Sequence, residues 1–226
     1  MKVAAVIVGY NHWHHLGASD GNWTRSFAHE LQARNKDMKV LVYDNDSSPP
    51  YQSDVLEIIH CKPRISYAAA LNSGIHHLRP GNYDWYITLN NDCQMCGNGD
   101  VMSVMRTLDE NVLYGSGWNV DNRLHINWQV SAWLCISKKV LQKVGMFDEG
   151  CAAAFEDFDY ERRAEQAGFR LDTAPLPIEH LAMHTRYEDR RYPAKWEDAR
   201  LYFNQKHGLD LAGWYTDEQI REARNG

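Results

Sequence analysis

Apolar and polar positions in the first half of the chain alternate between strand and helix patterns. Val3 to Val8 is an apolar run of β-branched character ending in Gly-Tyr-Asn-His, which predicts a short strand. From Asn22 to Arg34, Trp23, Phe27, Ala28 and Leu31 recur at helical spacing. Lys39 to Tyr43 predicts a second strand, running into Asp44, Asn45 and Asp46 and then a Ser-Pro turn. Val55 to Cys61 is a third strand, and Ser66 to Leu78 a helix closed by Pro-Gly-Asn. A fourth strand, 85–89, ends abruptly in Asn90, Asn91 and Asp92. The second half is more mixed. Asp100 to Asn111 reads as a helix, and Val112–Val120 and His125–Ile136 read as two strands. A short helix lies between an N-cap at Ser137 and a stop at Gly145, and a longer acidic one is stopped by Gly168. Phe169 to Leu181 is extended, and helices near 193–206 and 217–223 close the chain.

Strands alternating with helices at this spacing predict an α/β fold with a parallel, doubly wound sheet. Ligands of such sheets bind beyond the carboxyl ends of the strands. Three of those ends carry polar residues here: Tyr10-Asn11, Asp44-Asn45-Asp46 and Asn90-Asn91-Asp92. Neither G-x-G-x-x-G nor G-x-x-x-x-G-K-[ST] occurs, so a dinucleotide site and a P-loop are not indicated. Nor is "GYNHWHHL" the basic, Gly-rich triphosphate loop that a nucleotidyltransferase of similar topology would need after its first strand.

Composition narrows the partners. At 226 residues and 44% hydrophobic, the chain has the apolar mass for one domain with a real core. Its net charge of −6, with the acids dispersed, argues against a general nucleic-acid or anionic-membrane surface. No apolar run approaches the roughly 18 residues a membrane span needs, so no transmembrane segment is expected. Five scattered cysteines suggest thiols in a reducing compartment, and the expectation is a cytoplasmic protein. Cys93-x-x-Cys96 lacks the second pair that a zinc site would require. His12, His14 and His15 have metal-ligating chemistry but fall in the first strand-to-helix loop.

Two clusters carry candidate chemistry. Asp92, at a strand end, can offer a carboxylate to Mn²⁺ or Mg²⁺, which bind phosphate substrates through one or two carboxylates plus phosphate oxygens. Glu156 and Asp157 open a helix in "FEDFDYERRAEQAG", where the helix dipole favours ionised carboxylates. Such a group beside a crevice can act as general base toward a hydroxyl. Asp159 and Arg163, four apart, would pair along the same helix.

The order of "VIVGYN", "VLVYDNDSSP", "ALNSGI", "YITLNND", "VGMFDEG" and "FEDFDYERRAEQAGF" resembles the inverting family-two glycosyltransferases of the GT-A fold, over Val3 to about Gly208. The most specific piece is the E-D-x-D of Glu156, Asp157 and Asp159, followed by Arg163 and Gly168. The resemblance implies a GT-A (nucleotide-diphospho-sugar transferase) fold, a mostly parallel central sheet flanked by helices with a short C-terminal helical extension. It also implies a single domain, with a nucleotide-binding half at 1–98, an acceptor and catalytic half at 99–208 and a C-terminal helix at 209–226. The activity implied is metal-dependent transfer of a hexose or pentose from a nucleoside-diphosphate sugar to a hydroxyl. That acceptor could be a glycan, a lipid-linked glycan, a protein or a modified nucleobase. A catalytically idle nucleotide- or glycan-binding relative is the alternative.

The same resemblance assigns residues. Asp157, beside Glu156, is the base. Val8, Tyr10, Asn11, Asp44, Asn45 and Asn72 surround the nucleotide. Asn90-Asn91-Asp92 stands where the family has D-x-D, so its first acid is replaced by Asn90, and Asp92 is left to meet Mn²⁺ or Mg²⁺. His180 or His184 would be a further metal ligand, the spacing from Pro177 favouring His180. Ser66 occupies roughly the place of an arginine that some members direct at the phosphates, with Arg64 a possible substitute. Trp128 or Trp133, on the acceptor-side strand, could stack on a sugar face. The stretch "HTRYEDRRYPAKW" reads as a loop able to close over the donor.

Overall fold

The computed structural model of the chain describes residues 1–10, 23–121, 126–129, 132–152, 154–181, 191–213 and 215–225. Its frame is set by the register of four parallel strands: β1 (Val3–Gly9), β2 (Met38–Asn45), β3 (Glu57–Cys61) and β4 (Trp85–Asn90). In β1 and β4 Val8 lies beside Asn90, and in β1 and β2 Val8 lies beside Tyr43 and Gly9 beside Asp44. The polar strand ends noted in the sequence are therefore level with one another at one edge of the sheet.

Three further strands complete a seven-stranded sheet in the order β10-β6-β9-β4-β1-β2-β3. They are β6 (Val112–Gly115), β9 (Trp133–Ser137) and β10 (Arg170–Thr173). Strand β9 runs antiparallel to both β4 and β6, and the other pairings are parallel. Alternate residues of the strands feed two cores. Val3, Ala5, Ile7, Val40, Val42, Ile87 and Leu89 pack with α1 (Trp23–Arg34) and α3 (Val101–Met105). Ala4, Val6, Val8, Leu41 and Tyr86 pack with α2 (Tyr67–Leu78), α4 (Lys138–Val144) and α5 (Glu156–Gln166). Helices thus cover both faces, which is why the central strands read as continuous apolar runs rather than alternating ones. Helix α2 lies close to the sheet: a Cβ on Gly74 would come within 2.6 Å of Val6 Cγ1.

Two expectations change. The helix foreseen over 100–111 is only α3, capped by Asp100 and ended at Arg106. Asp109 then forms a turn by accepting the Asn111 N–H at 2.9 Å, which diverts the backbone from the helix. The two long strands foreseen over 112–136 become four. Ser116 and Gly117 interrupt the first, and β7 (Trp118–Asp121) and β8 (Ile126–Gln129) pair as a separate antiparallel ribbon. Ser116 Oγ accepts the N–H of Ala132 at 3.1 Å, pinning the return of the chain to β9. A third small sheet pairs β5 (Cys93–Met95) with β11 (Ile178–His180). The segment foreseen as a closing loop includes residues outside those described, and its last part belongs to α6 (Tyr192–His207). The chain ends in α7 (Asp217–Asn225), and no described helix is long and apolar enough to cross a membrane.

Asp159 joins α5 to α6. Its fully buried carboxylate lies 2.7 Å from Arg163 Nε, 2.6 Å from Lys206 Nζ and 2.9 Å from His207 Nε2. Burial alone would raise its pKa, but the hydrogen bonds from Lys206, Arg163 and His207 prevail and hold it below the ordinary carboxylate value. Removing one partner from such a buried set costs far more than the set contributes, because the remaining charges stay buried without it. Asp159→Ala is expected to destabilise the fold by about 3 kcal/mol. Urea denaturation would read this as a lower midpoint at an unchanged slope, and a loss below about 1 kcal/mol would refute it.

Candidate active site

Strand β4 delivers Asn90 to the sheet edge, with its backbone N–H donated to Ala132 O at 2.9 Å. The chain then turns into β5, and the β5–β11 ribbon sets Cys93 opposite His180. A bond from Leu181 N to Asp92 O (2.9 Å) closes the ribbon. Two segments far apart in sequence thereby meet, and His180 Nε2 lies 3.0 Å from Asp92 Oδ1. Asp92 is buried, and His180 half-buried.

This pair fits a divalent ion. Two donors 3.0 Å apart match the spacing of adjacent corners of an octahedron whose metal–ligand bonds are about 2.1 Å long. A carboxylate oxygen and an imidazole nitrogen are suitable donors for Mn²⁺, and Mg²⁺ is content with one or two carboxylates when phosphates supply the rest. Among the described residues no group of three or more His, Cys, Asp or Glu converges for a metal. His184 lies outside the described residues, as do Asn11 and His12, His14 and His15.

Glu156 and Asp157 are the first residues of α5. Phe155, just before them, holds a left-handed conformation (φ 69°) that costs a non-glycine residue energy. Its ring stacks on Phe203 at 5.3 Å and contacts Trp196 and Phe158, an aromatic cluster that offsets the strain and fixes where the helix starts. The expectation of two ionised carboxylates in this first turn fails for Glu156. Burial, and then the charge of adjacent Asp157, raise its pKa to about 8. Desolvation outweighs the helix dipole here.

Tyr67 lies against Asn90, and sequence reasoning missed it. Ser66 caps α2 by accepting Ala69 N–H at 3.2 Å, which makes Tyr67 the first helical residue. Its hydroxyl donates to Asn90 Oδ1 at 2.7 Å. Burial, followed by the acidic groups of Glu156, Cys93, Asp92 and Asp157, holds the phenol well above its usual pKa. The acidic groups of Asp92, Glu156 and Asp157 thus all act on one phenol. The signal was available: a polar aromatic just after an N-cap, in a helix whose start faces the strand ends.

Other candidates have structural partners of their own. Buried Asp44 accepts the backbone N–H groups of Ser47 and Tyr51, each at 3.0 Å, and lies 2.9 Å from His60 Nδ1. Asn45 exchanges two hydrogen bonds with the backbone of Ile65. Asn72 does the same with Phe147 and also donates to Glu149, in the wall of an open cavity of about 770 Å³. Val8 is buried in the α2 core. Tyr10 lies at the edge, with the Arg64 guanidinium 3.7 Å above its ring centre. Asn91 follows Asn90 in the turn. Trp133 is only 6% exposed and belongs to the core that contains Leu89, so its ring is not an open sugar platform. Trp128 lies on β8 opposite Asn119, but its side chain is outside the described residues.

By sequence the chain matches no family profile and no curated protein. By structure it is similar to Staphylococcus aureus TarS (residues 1–349) solved with UDP-GlcNAc, at TM-score 0.55 and 14% identity, covering 100% of this chain and 72% of that one. It is also similar to a Drosophila β-1,4-galactosyltransferase 7 variant solved with manganese, UDP-Gal and xylobiose, at TM-score 0.52 and 11% identity, covering 83% and 73% of the two chains. A third, from Bacillus anthracis and provisionally named a glucose-1-phosphate thymidylyltransferase, has TM-score 0.50 and 10% identity, with 97% and 99% covered. At these identities the likeness establishes the fold. It is the GT-A-like fold of nucleotide-diphospho-sugar transferases, with a mostly parallel sheet flanked by helices.

The raised pKa of Glu156 makes a testable claim about stability. The folded state keeps the proton up to about pH 8, whereas an unfolded chain releases it near the ordinary glutamate value of about 4.3. The stabilisation is complete below the unfolded value and is lost as pH rises through the folded one, with a slope of at most about 1.4 kcal/mol per pH unit. Glu156→Gln should abolish that slope between roughly pH 5 and 8. Urea denaturation across the range would show parallel pH profiles for the two proteins if the assignment is wrong.

Proposed function

We propose that the chain is a glycosyltransferase of the inverting, family-two type, moving a hexose or pentose from a nucleoside-diphosphate sugar to a hydroxyl. The observation that supports this most directly is the gathering of Asn90, Asp92 with His180, and Glu156-Asp157 around Tyr67, at the edge of a GT-A-like sheet where β1, β2 and β4 end together. Residues 1–98 would form the nucleotide-binding half, 99–208 the acceptor and catalytic half, and 209–226 a helical extension, all in one domain. The five cysteines are thiols, in keeping with a cytoplasmic enzyme.

In the proposed reaction the acceptor hydroxyl attacks the anomeric carbon from the face opposite the diphosphate. A carbon–oxygen bond to the acceptor forms as the bond to the diphosphate oxygen breaks, and the bonding pair leaves with the diphosphate. The Asp157 carboxylate takes the acceptor proton. Glu156 keeps its own proton near neutral pH, so that Asp157 works beside a neutral neighbour. Asn90, and Arg64 with Tyr10, would hold the donor. Asp92 with His180 or His184 would hold Mn²⁺ or Mg²⁺, which when bound supplies positive charge for the departing diphosphate.

Asp157→Asn removes the base while keeping shape and size. It is expected to lower the transfer rate about 10²- to 10⁴-fold with donor affinity unchanged, and retention of most activity would refute the assignment. Thermal unfolding with UDP, GDP, dTDP and CMP, each with and without Mn²⁺, tests the wider reading. A diphosphate at a few hundred times its dissociation constant should stabilise the fold by about 3 kcal/mol, and more with the metal than without. No response to any nucleotide would point to a glycan-binding relative without activity.

A further inference from the structure

Resting on the glycosyltransferase reading, we propose that Tyr67 is a positioning residue that fixes the Asn90 carboxamide, so that a neutral N–H donor, not a carboxylate, meets the donor's diphosphate at this point of the crevice.

A phenol has one proton to give, and Tyr67 gives it to Asn90 Oδ1 at 2.7 Å. A primary amide is planar with its oxygen and nitrogen on opposite branches, so engaging the oxygen leaves the NH₂ as the branch available to a ligand. Among the described residues nothing accepts from Asn90 Nδ2, although Asn90 is half-buried. Asn90 therefore presents its NH₂ to a ligand, with its oxygen already engaged by the phenol. The phenol is a reliable donor in its turn. Burial first, and then the acidic groups around it, oppose its ionisation, so it keeps its proton.

Ligand chemistry follows from the surroundings. The carboxylates of Asp92 and Asp157 are among the acidic groups that act on Tyr67, and they repel the negative oxygens of a diphosphate arriving here. A carboxylate at position 90 would add to that repulsion, whereas a fixed amide N–H relieves it. Diphosphate oxygens accept hydrogen bonds and give none. The geometry suits them. Tyr67 itself is held in register by its place directly after the Ser66 cap.

The test is isothermal titration of wild type, Tyr67→Phe and Asn90→Asp with UDP, GDP, dTDP and the parent nucleosides, each in Mn²⁺ and in EDTA. Tyr67→Phe keeps the ring and frees the amide, so affinity for the diphosphate that binds should fall about five- to tenfold while nucleoside affinity stays put. Asn90→Asp replaces the donor with a charged acceptor. Its diphosphate affinity in EDTA should fall about tenfold or more, with the ratio of affinities in Mn²⁺ and EDTA widening by a similar factor. Variants that bind like wild type, or that lose nucleoside and diphosphate affinity equally, overturn the positioning role alone. If wild type binds no diphosphate, the glycosyltransferase reading falls and this inference with it.

Discussion

The buried carboxylate of Asp159 is the interaction on which the α5 and α6 side of the molecule depends. Three partners reach it, one from its own helix and two from the end of α6. Arg163, held by Asp159, donates onward to Val144 O and Met146 O, and Lys206 also reaches the Asp148 carboxylate. One side chain thus ties α5, the turn after α4 and α6 into a single body. Helix α5 starts only three residues earlier, at Glu156, and its start is further fixed by the Phe155 cluster against α6. Under the proposed function, the carboxylate that takes a proton from a moving substrate needs such a rigid support.

The opposite side depends on register. A shift of β4 by one residue against β1 would turn Asn90 to the other face of the sheet. Pairing of alternate strand residues with two separate cores prevents it, and the β5–β11 ribbon then carries the frame one turn further. His180 stands next to Asp92 because Cys93 is paired with it across that ribbon. Site and fold are fixed by the same hydrogen bonds.

How much was legible follows from this. The early strands, α1, α2 and α4 could be read because their periodicity and caps are local: Ser66, Ser137 and Gly145 act within a few residues. The level alignment of Tyr43, Val8 and Asn90 followed from expecting a parallel sheet. The division of 112–136 into four strands could not be read, because the decisive bond joins Ser116 to Ala132 across a ribbon. Nor could the state of Glu156, since the helix start favours the anion and only burial beside Asp157 reverses that. Asp44, Asn45 and Asn72 look like ligand residues by type and position. Their observed partners are turns of this chain, and no sequence pattern distinguishes an amide that holds a loop from one that holds a nucleotide.

Two departures from the family pattern make sense together under the proposed function. The chain has serine where some family-two members have an arginine for the phosphates, and asparagine where the first acid of D-x-D would stand. Losing the arginine alone would leave the diphosphate to Arg64 and the metal held by Asp92, against the carboxylates of Asp92 and Asp157. Losing the acid as well removes one negative charge for one positive charge, and protonation of Glu156 removes another near neutral pH. Under the proposed function, the crevice would reach a tolerable potential by subtraction of carboxylate charge, with Arg64 as its guanidinium. A neutral donor reached by subtraction must be oriented to be useful, because an amide that can flip offers its oxygen as readily as its nitrogen. The hydroxyl of Tyr67 meets that requirement.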